Sequence, residues 1–164
     1  MTVRAIDAIA WEAAYREHAG HLTRLATVLV GPDGAHDLVS ETVLRCVSSD
    51  GWPAVANPGG YLTRALVREA STLGRSEGAR RRREWKVAAW RPAATEDTQH
   101  QPASTDALRS LSPTQAAIVY LLYWEDMTIP DAARRLEMSE GSVRKQLDRA
   151  KKRLRKVMTD DDHE

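Results

Sequence analysis

The residues whose types and spacing best suit chemistry are Ser139, Ser142, Arg144, Lys145, Gln146 and Arg149. Their chemistry is recognition, with no bond made or broken. Cations and hydroxyls meet phosphate oxygens, Gln can pair with the edge of adenine, and Arg with guanine or phosphate. Between them Val143, Leu147, Ala150 and Leu154 recur at helical spacing, so one face is apolar and the opposite face carries the polar set. A helix of this kind reads a major groove when a shorter helix and a tight turn precede it. The preceding residues provide both. Thr128 with Asp131 fits a capping box, and Pro130 falls in the first turn, where its missing N–H costs little. Ala132, Ala133 and Leu136 form an inner face, and Glu137-Met138-Ser139 the turn. The pattern predicts a helix-turn-helix over Met127 to Arg155.

Ordinary helix-pair packing with solvated cations would give the same periodicity, and the charge map argues against it. From Arg134 to Lys156 there are ten Arg or Lys against three Asp or Glu, a net +7, in a chain whose total is only +1. A second cluster, Arg75 to Lys86, is net +4, which leaves −10 on the remainder. Two basic tracts on an otherwise acidic chain point to two polyanion contacts.

The 164 residues can make one ordinary domain or two small ones. A single cysteine, Cys46, excludes an intrachain disulfide and a cysteine-rich zinc site, and its place on an apolar stripe favours core packing. No apolar run approaches the roughly 18 residues of a membrane span, and the start of the chain meets charges with no signal-peptide cleavage site, so a cytoplasmic location is expected. His18, His21, His36, His100 and His163 form no ligand spacing. No phosphate-binding glycine loop or nucleophile motif occurs either, so neither an enzyme nor a cofactor is expected. His18 and His21 read as surface or boundary residues of the first helix.

The elements that must position these groups all read as helices. Trp11, Tyr15, Leu22, Leu25, Ala26 and Leu29 mark a first one, broken at Gly31-Pro32-Asp33-Gly34. A second begins near Ala35 and turns Leu38, Val39, Val43, Cys46 and Val47 inward, with Asp37, Ser40, Glu41 and Arg45 outward. SSDGWPAVANPGG has loop composition, and Tyr61 to Leu73 resumes helical spacing before running into Arg80 to Arg83. About Ala88 to Asp106 has the composition of a flexible linker. Ser112-Pro113-Thr114-Gln115 then starts a helix that should support the helix-turn-helix, with Ala117, Ile118, Leu121, Leu122 and Trp124 following. The expected fold is all-α: two small helical domains, residues 1–87 and 108–158, joined by a linker at 88–107 and followed by an acidic tail at 159–164.

This order of parts resembles the extracytoplasmic-function sigma factors of bacterial RNA polymerase, members of the sigma-70 family. GPDGAHDLVSETVLRCV is similar to the signature of region two, and LSPTQAAIVYLLYWEDMTIPDAARRLEMSEGSVRKQLDRAKKRLR to region four. PGGYLTRALVREASTLGRS is similar to the variant common in the sigma-E-like members of actinobacteria. The resemblance implies a promoter-specificity subunit with polymerase core and promoter DNA as partners, and many relatives are also held inactive by an anti-sigma factor. By the same resemblance Asp37, Leu38, Ser40, Glu41 and Leu44 bind core polymerase. Trp52, Asn57, Tyr61, Arg64, Arg68 and Arg80, Arg81, Arg82, Arg83 hold the minus-ten strand, where stacking a base on an aromatic is worth roughly 1–3 kcal/mol. Ser139, Ser142, Arg144, Lys145, Gln146 and Arg149 read the minus-thirty-five element.

The chain departs from the family pattern at Arg68, where Asn is common, and at Leu73-Gly74, where an aromatic usually stands. It departs again at Glu137, where the turn is usually Gly; Glu137 must therefore tolerate or avoid a left-handed conformation. Two other readings stand beside the first. A stand-alone helix-turn-helix regulator would bind an operator as a dimer, although the helical front half lacks the pattern of a receiver domain. A degenerate sigma-like interaction protein would bind core or another regulator without initiating.

Overall fold

In the computed structural model, residues 5–49, 55–88 and 107–161 are described, with side chains over 10–49, 55–76 and 107–159. Every regular element among them is helical: α1 (Ala5–Val30), α2 (Pro32–Val47), α3 (Pro58–Ala88), α4 (Pro113–Tyr123), α5 (Ile129–Leu136) and α6 (Glu140–Asp161). A single helical turn at 107–109 precedes α4. The expected all-α class is what the chain adopts.

The first three helices make a bundle whose centre is Leu22, Leu25 and Ala26 of α1, Leu38 and Val39 of α2, and Leu62 and Leu66 of α3. Each such leucine contributes roughly 1.5–3 kcal/mol by leaving water. Two buried threonines lie among them without orphaned hydroxyls, because Thr42 donates to the Leu38 carbonyl and Thr63 to the Gly59 carbonyl, each at 2.7 Å. The predicted break after Val30 shrinks to one residue. Gly31 takes φ 86°, its N–H still donates to Thr27 O at 2.9 Å, and Pro32 opens α2 at once. The positive φ favours glycine at 31, where a Cβ would meet only the movable end of the Arg109 side chain.

The second core gathers Ile118 and Leu121 of α4, Ala132, Ala133 and Leu136 of α5, and Val143, Leu147 and Ala150 of α6. α4 starts as its sequence demands. Ser112 Oγ accepts from the Gln115 N–H, Gln115 Oε1 accepts from the Ser112 N–H, both at 3.2 Å, and Pro113 occupies the first turn. α4 is unusual in that six consecutive residues, Ala116 to Leu121, are buried. An apolar helix buried on all sides needs neighbours on all sides. α5 and α6 cover one flank, and α1 and α3 of the front bundle cover the other. The two halves therefore share one continuous core across α4.

Candidate polymerase-binding and nucleic-acid surfaces

The recognition helix is built from its cap upward. Ser139 Oγ accepts from the Ser142 N–H at 3.1 Å and Ser139 O from the Val143 N–H at 3.0 Å, so Ser139 anchors the first turn of α6. Its hydroxyl donates to Ser142 Oγ at 2.9 Å. With Val143, Leu147 and Ala150 buried, Arg144, Lys145, Arg149, Lys151, Lys152 and Arg153 are all exposed. Arg144 pairs with Glu140 at 3.2 Å, but both side chains are largely in solvent, where such a pair is worth little and yields readily to a phosphate. Gln146 is the exception. It is half-buried, and its Oε1 accepts from Gln115 Nε2 of α4 at 3.2 Å, so a bidentate pairing with adenine requires that bond to be released.

The turn before α6 resolves the question raised by Glu137. Glu137 adopts the left-handed conformation, φ 50° and ψ 47°. Its N–H donates to Arg134 O at 3.3 Å and the Met138 N–H to Ala133 O at 2.9 Å, which is the paired C-terminal closure known as the Schellman motif. The backbone turn is that of a glycine, made with glutamate. At the other end of α5, Thr128 Oγ1 accepts from the Asp131 N–H at 3.3 Å and donates to the Asp131 carboxylate at 2.6 Å. The carboxylate, taking bonds from Thr128 and Arg134, is held below its usual pKa.

On α2 the expected polymerase-binding set divides. Asp37 and Glu41 are exposed, Ser40 is half-buried, and Leu44 is 63% exposed, an apolar side chain standing in solvent. Leu38 points the other way, into the core at 1% exposure, and supports that face from beneath. Beside Asp37 and Glu41 an open groove runs between α2 and α3, floored by Leu38 and Ala70, and its far wall is Leu111 and Pro113 from the start of the second half.

Of the minus-ten set, Trp52 lies outside the described residues, and so do the side chains of Arg80, Arg81, Arg82 and Arg83 on α3. Asn57 caps α3, its Oδ1 accepting from the Gly60 N–H at 3.0 Å. The Tyr61 hydroxyl is 3.2 Å from Ser49 Oγ, tying α3 to the end of α2. Arg68 is exposed. Arg64 is half-buried and committed elsewhere: Nη2 pairs with Glu137 at 2.9 Å and Nη1 donates to Arg135 O at 3.3 Å.

That cross-contact has a larger companion that sequence reasoning missed. The Tyr120 hydroxyl donates to Glu125 Oε1 at 2.6 Å and accepts from Arg24 Nε at 3.2 Å, while Arg24 Nη2 and His21 Nδ1 each lie 3.4 Å from the same carboxylate oxygen. His21 Nε2 is 3.3 Å from Thr63 Oγ1, and its ring packs against Tyr120 with centroids 6.0 Å apart. Burial lowers the His21 pKa despite the neighbouring carboxylate. The Tyr120 hydrogen bond, then that of His21, holds Glu125 below the usual carboxylate range, and burial raises Tyr120. Cys46 is buried in the front bundle, its thiol pushed up to about 11 by burial and the charge of Glu69. Among the described residues no cluster of three metal-ligating side chains occurs, and no described helix is long and apolar enough to cross a membrane.

A helix-turn-helix with a capped, basic second helix and an apolar supporting helix defines a nucleic-acid-binding class. Residues 105–154 match the model of the sigma-70 region 4 family. It is 29% identical over 160 residues to the RNA polymerase sigma-E factor of Streptomyces avermitilis, covering 93% of this chain and 87% of that one. A sigma-E factor of Streptomyces antibioticus is also 29% identical over 160 residues, covering 93% and 86%. The sigma factor RpoE of Bartonella quintana, solved in complex with the anti-sigma factor NepR, shares the fold with TM-score 0.65 at 20% identity, over 92% of this chain and 97% of that one. Over nearly its whole length the chain is thus similar to RNA polymerase sigma-E factors.

Proposed function

We propose that the chain binds the core of bacterial RNA polymerase through α2 and carries it to promoters that α6 reads as duplex at the minus-thirty-five element. The observation that carries this reading is the cation-rich outer face of α6, set on a turn closed by Glu137 and capped by Ser139. Arg144, Lys145 and Arg149 offer charge to phosphates and base edges, and Ser139 and Ser142 fix the helix start against the backbone. On the front half Asp37, Glu41 and Leu44 form a docking face of mixed acidic and apolar character, with Leu38 fixing its position from within. Tyr61, Arg64 and Arg68, with Trp52, Asn57 and the Arg80–Arg83 run, serve the minus-ten strand once the duplex opens. Residues 1–87 and 108–158 act as the two functional units. An anti-sigma factor that covered α2 and α6 would silence both contacts. The chain supplies binding energy and placement; the polymerase supplies the chemistry of synthesis.

Run-off transcription with purified core polymerase on promoters selected from genomic fragments tests the reading. A promoter-dependent transcript is expected, and Leu44→Asp should abolish it by preventing assembly with core. Tight core binding without any promoter-dependent transcript would refute initiation and leave an interaction protein.

A further inference from the structure

We infer that Gln115 of α4 is a positioning residue that sets the base preference of the recognition helix, by fixing which end of the Gln146 amide is offered to DNA. This role rests on α6 being the duplex reader proposed above, and it adds a determinant on a neighbouring helix and the class of base that is read.

The direction of the Gln146 amide is dictated from the backbone. The Ser112 N–H is a donor that cannot turn round, and Gln115 Oε1 accepts from it at 3.2 Å. The other end of the Gln115 amide, Nε2, then faces α6, and as a donor it needs an acceptor. It finds Gln146 Oε1 at 3.2 Å. With its oxygen turned to α4, Gln146 has its Nε2 left to offer. Both glutamines are half-buried, so the bond between them is partly shielded from water. Gln146 lies four residues after Ser142 and three before Arg149, both exposed, and so belongs to the same stripe of the helix.

A free glutamine amide suits adenine, because it donates to N7 and accepts from the N6 amine at once. Gln146 held by Gln115 is presented as a donor. Guanine offers two acceptors side by side, N7 and O6, whereas cytosine offers the N4 amine and would set donor against donor. The held side chain therefore favours guanine, opposes cytosine, and meets adenine through N7 alone. The capping box at Ser112 thus has a second use: it starts α4, and through Gln115 it orients a reader 31 residues further on.

The full-length chain assembled with core polymerase is used to select duplexes from a promoter pool randomised across the minus-thirty-five element, and the bound sequences are counted. Gln146→Ala locates the position that depends on this side chain, by loss of preference there alone. At that position the unsubstituted chain should enrich guanine over adenine roughly fivefold, the weight of one hydrogen bond. Gln115→Ala frees the Gln146 amide and should shift the preference toward adenine. Gln115→Glu is the sharper test. It keeps the capping-box acceptor, since glutamate serves at that place, but offers Gln146 an acceptor in place of a donor. Gln146 must then turn over and present its oxygen, so the preference should pass from guanine to cytosine or adenine, whose amines donate. The melting temperature of that variant should be preserved. A residue that only started α4 would alter stability and affinity and leave base preference alone. Guanine retained in both Gln115 variants, adenine preferred by the unsubstituted chain, or no position altered by Gln146→Ala would each overturn the role of Gln115. Run-off transcription is scored separately. A chain that selects guanine here without initiating refutes the proposed function and leaves this role standing, and initiation with an unmoved preference does the reverse.

Discussion

Replacing Glu137 separates two effects that oppose each other at one residue. A left-handed backbone costs a residue with a Cβ roughly 1–2 kcal/mol, and Glu137 bears it at φ 50°. Against this, its carboxylate pairs with Arg64; but the Glu137 side chain is 69% exposed, so the pair returns about 0.5 kcal/mol at most. Glu137→Ala keeps the strain and loses the pair, and should destabilise by about 0.5 kcal/mol or less. Glu137→Gly removes the strain, and glycine's extra freedom when unfolded takes back roughly 0.5–1 kcal/mol. The glycine variant should therefore exceed the alanine variant by about 0.5–1 kcal/mol, or about 1–4 °C in melting temperature for a chain of this size. Urea denaturation of the two full-length variants, followed by circular dichroism, measures the difference. Equal stability would refute the account, because it would mean that the turn carries no left-handed strain for glycine to relieve.

Three further outcomes follow from the geometry. Ser112→Ala removes the Oγ acceptor of the Gln115 N–H while leaving the Ser112 N–H bonded to Gln115 Oε1, and should cost about 1 kcal/mol in denaturant titration, with Ser112→Asp recovering most of it. The His21 pKa is lowered in the folded chain by burial, with Glu125 opposing and Arg24 and Arg135 reinforcing. The unfolded chain therefore takes up a proton first as pH falls. His21 costs nothing above its ordinary pKa of 6.5, and stability should drop as pH falls below that value until the lowered folded pKa is reached. The slope of stability against pH between 7 and 5.5 should flatten in His21→Gln, and an unchanged slope would remove His21 as its source. Arg149→Ala should weaken DNA binding nearly equally across sequences and reduce the salt slope of log K by about 1, as for a phosphate contact; a change confined to one base position would instead make Arg149 a base reader.

The local signals were fully legible in the chain. Ser112-Pro113-Thr114-Gln115 dictates a capped start, and the structure forms both bonds of the box. The stripe Val143, Leu147, Ala150 is buried while the intervening cations are not, because a 3.6-residue period fixes which face meets the core. Leu38 carries two expectations, an inward place on the apolar stripe and a docking role by resemblance; the bundle buries it at 1% exposure, because adjacent positions of one helix face opposite ways. Asn57 and Ser139, expected at DNA by resemblance, each also cap a helix. Least visible was the packing of one half on the other. Its signal was present in AAIVYLLYW, a run apolar on every side, which a helix with one buried face does not need. His21 and Arg24 stand about a hundred residues from Tyr120 and Glu125, and no periodicity links the two pairs; their meeting is a property of the tertiary fold alone.

The burial of α4 on every side bears on the life of the molecule between rounds of transcription. Val119 and Tyr120 are covered only while some surface lies against them. A factor that sprang open without a partner would present that flank to proteases and to other copies of itself, in the manner of any newly exposed apolar patch. With α1 and α3 packed on it, the middle of α4 keeps Val119 and Tyr120 out of solvent, while Tyr123 and Trp124 at its end stay 57% and 59% exposed.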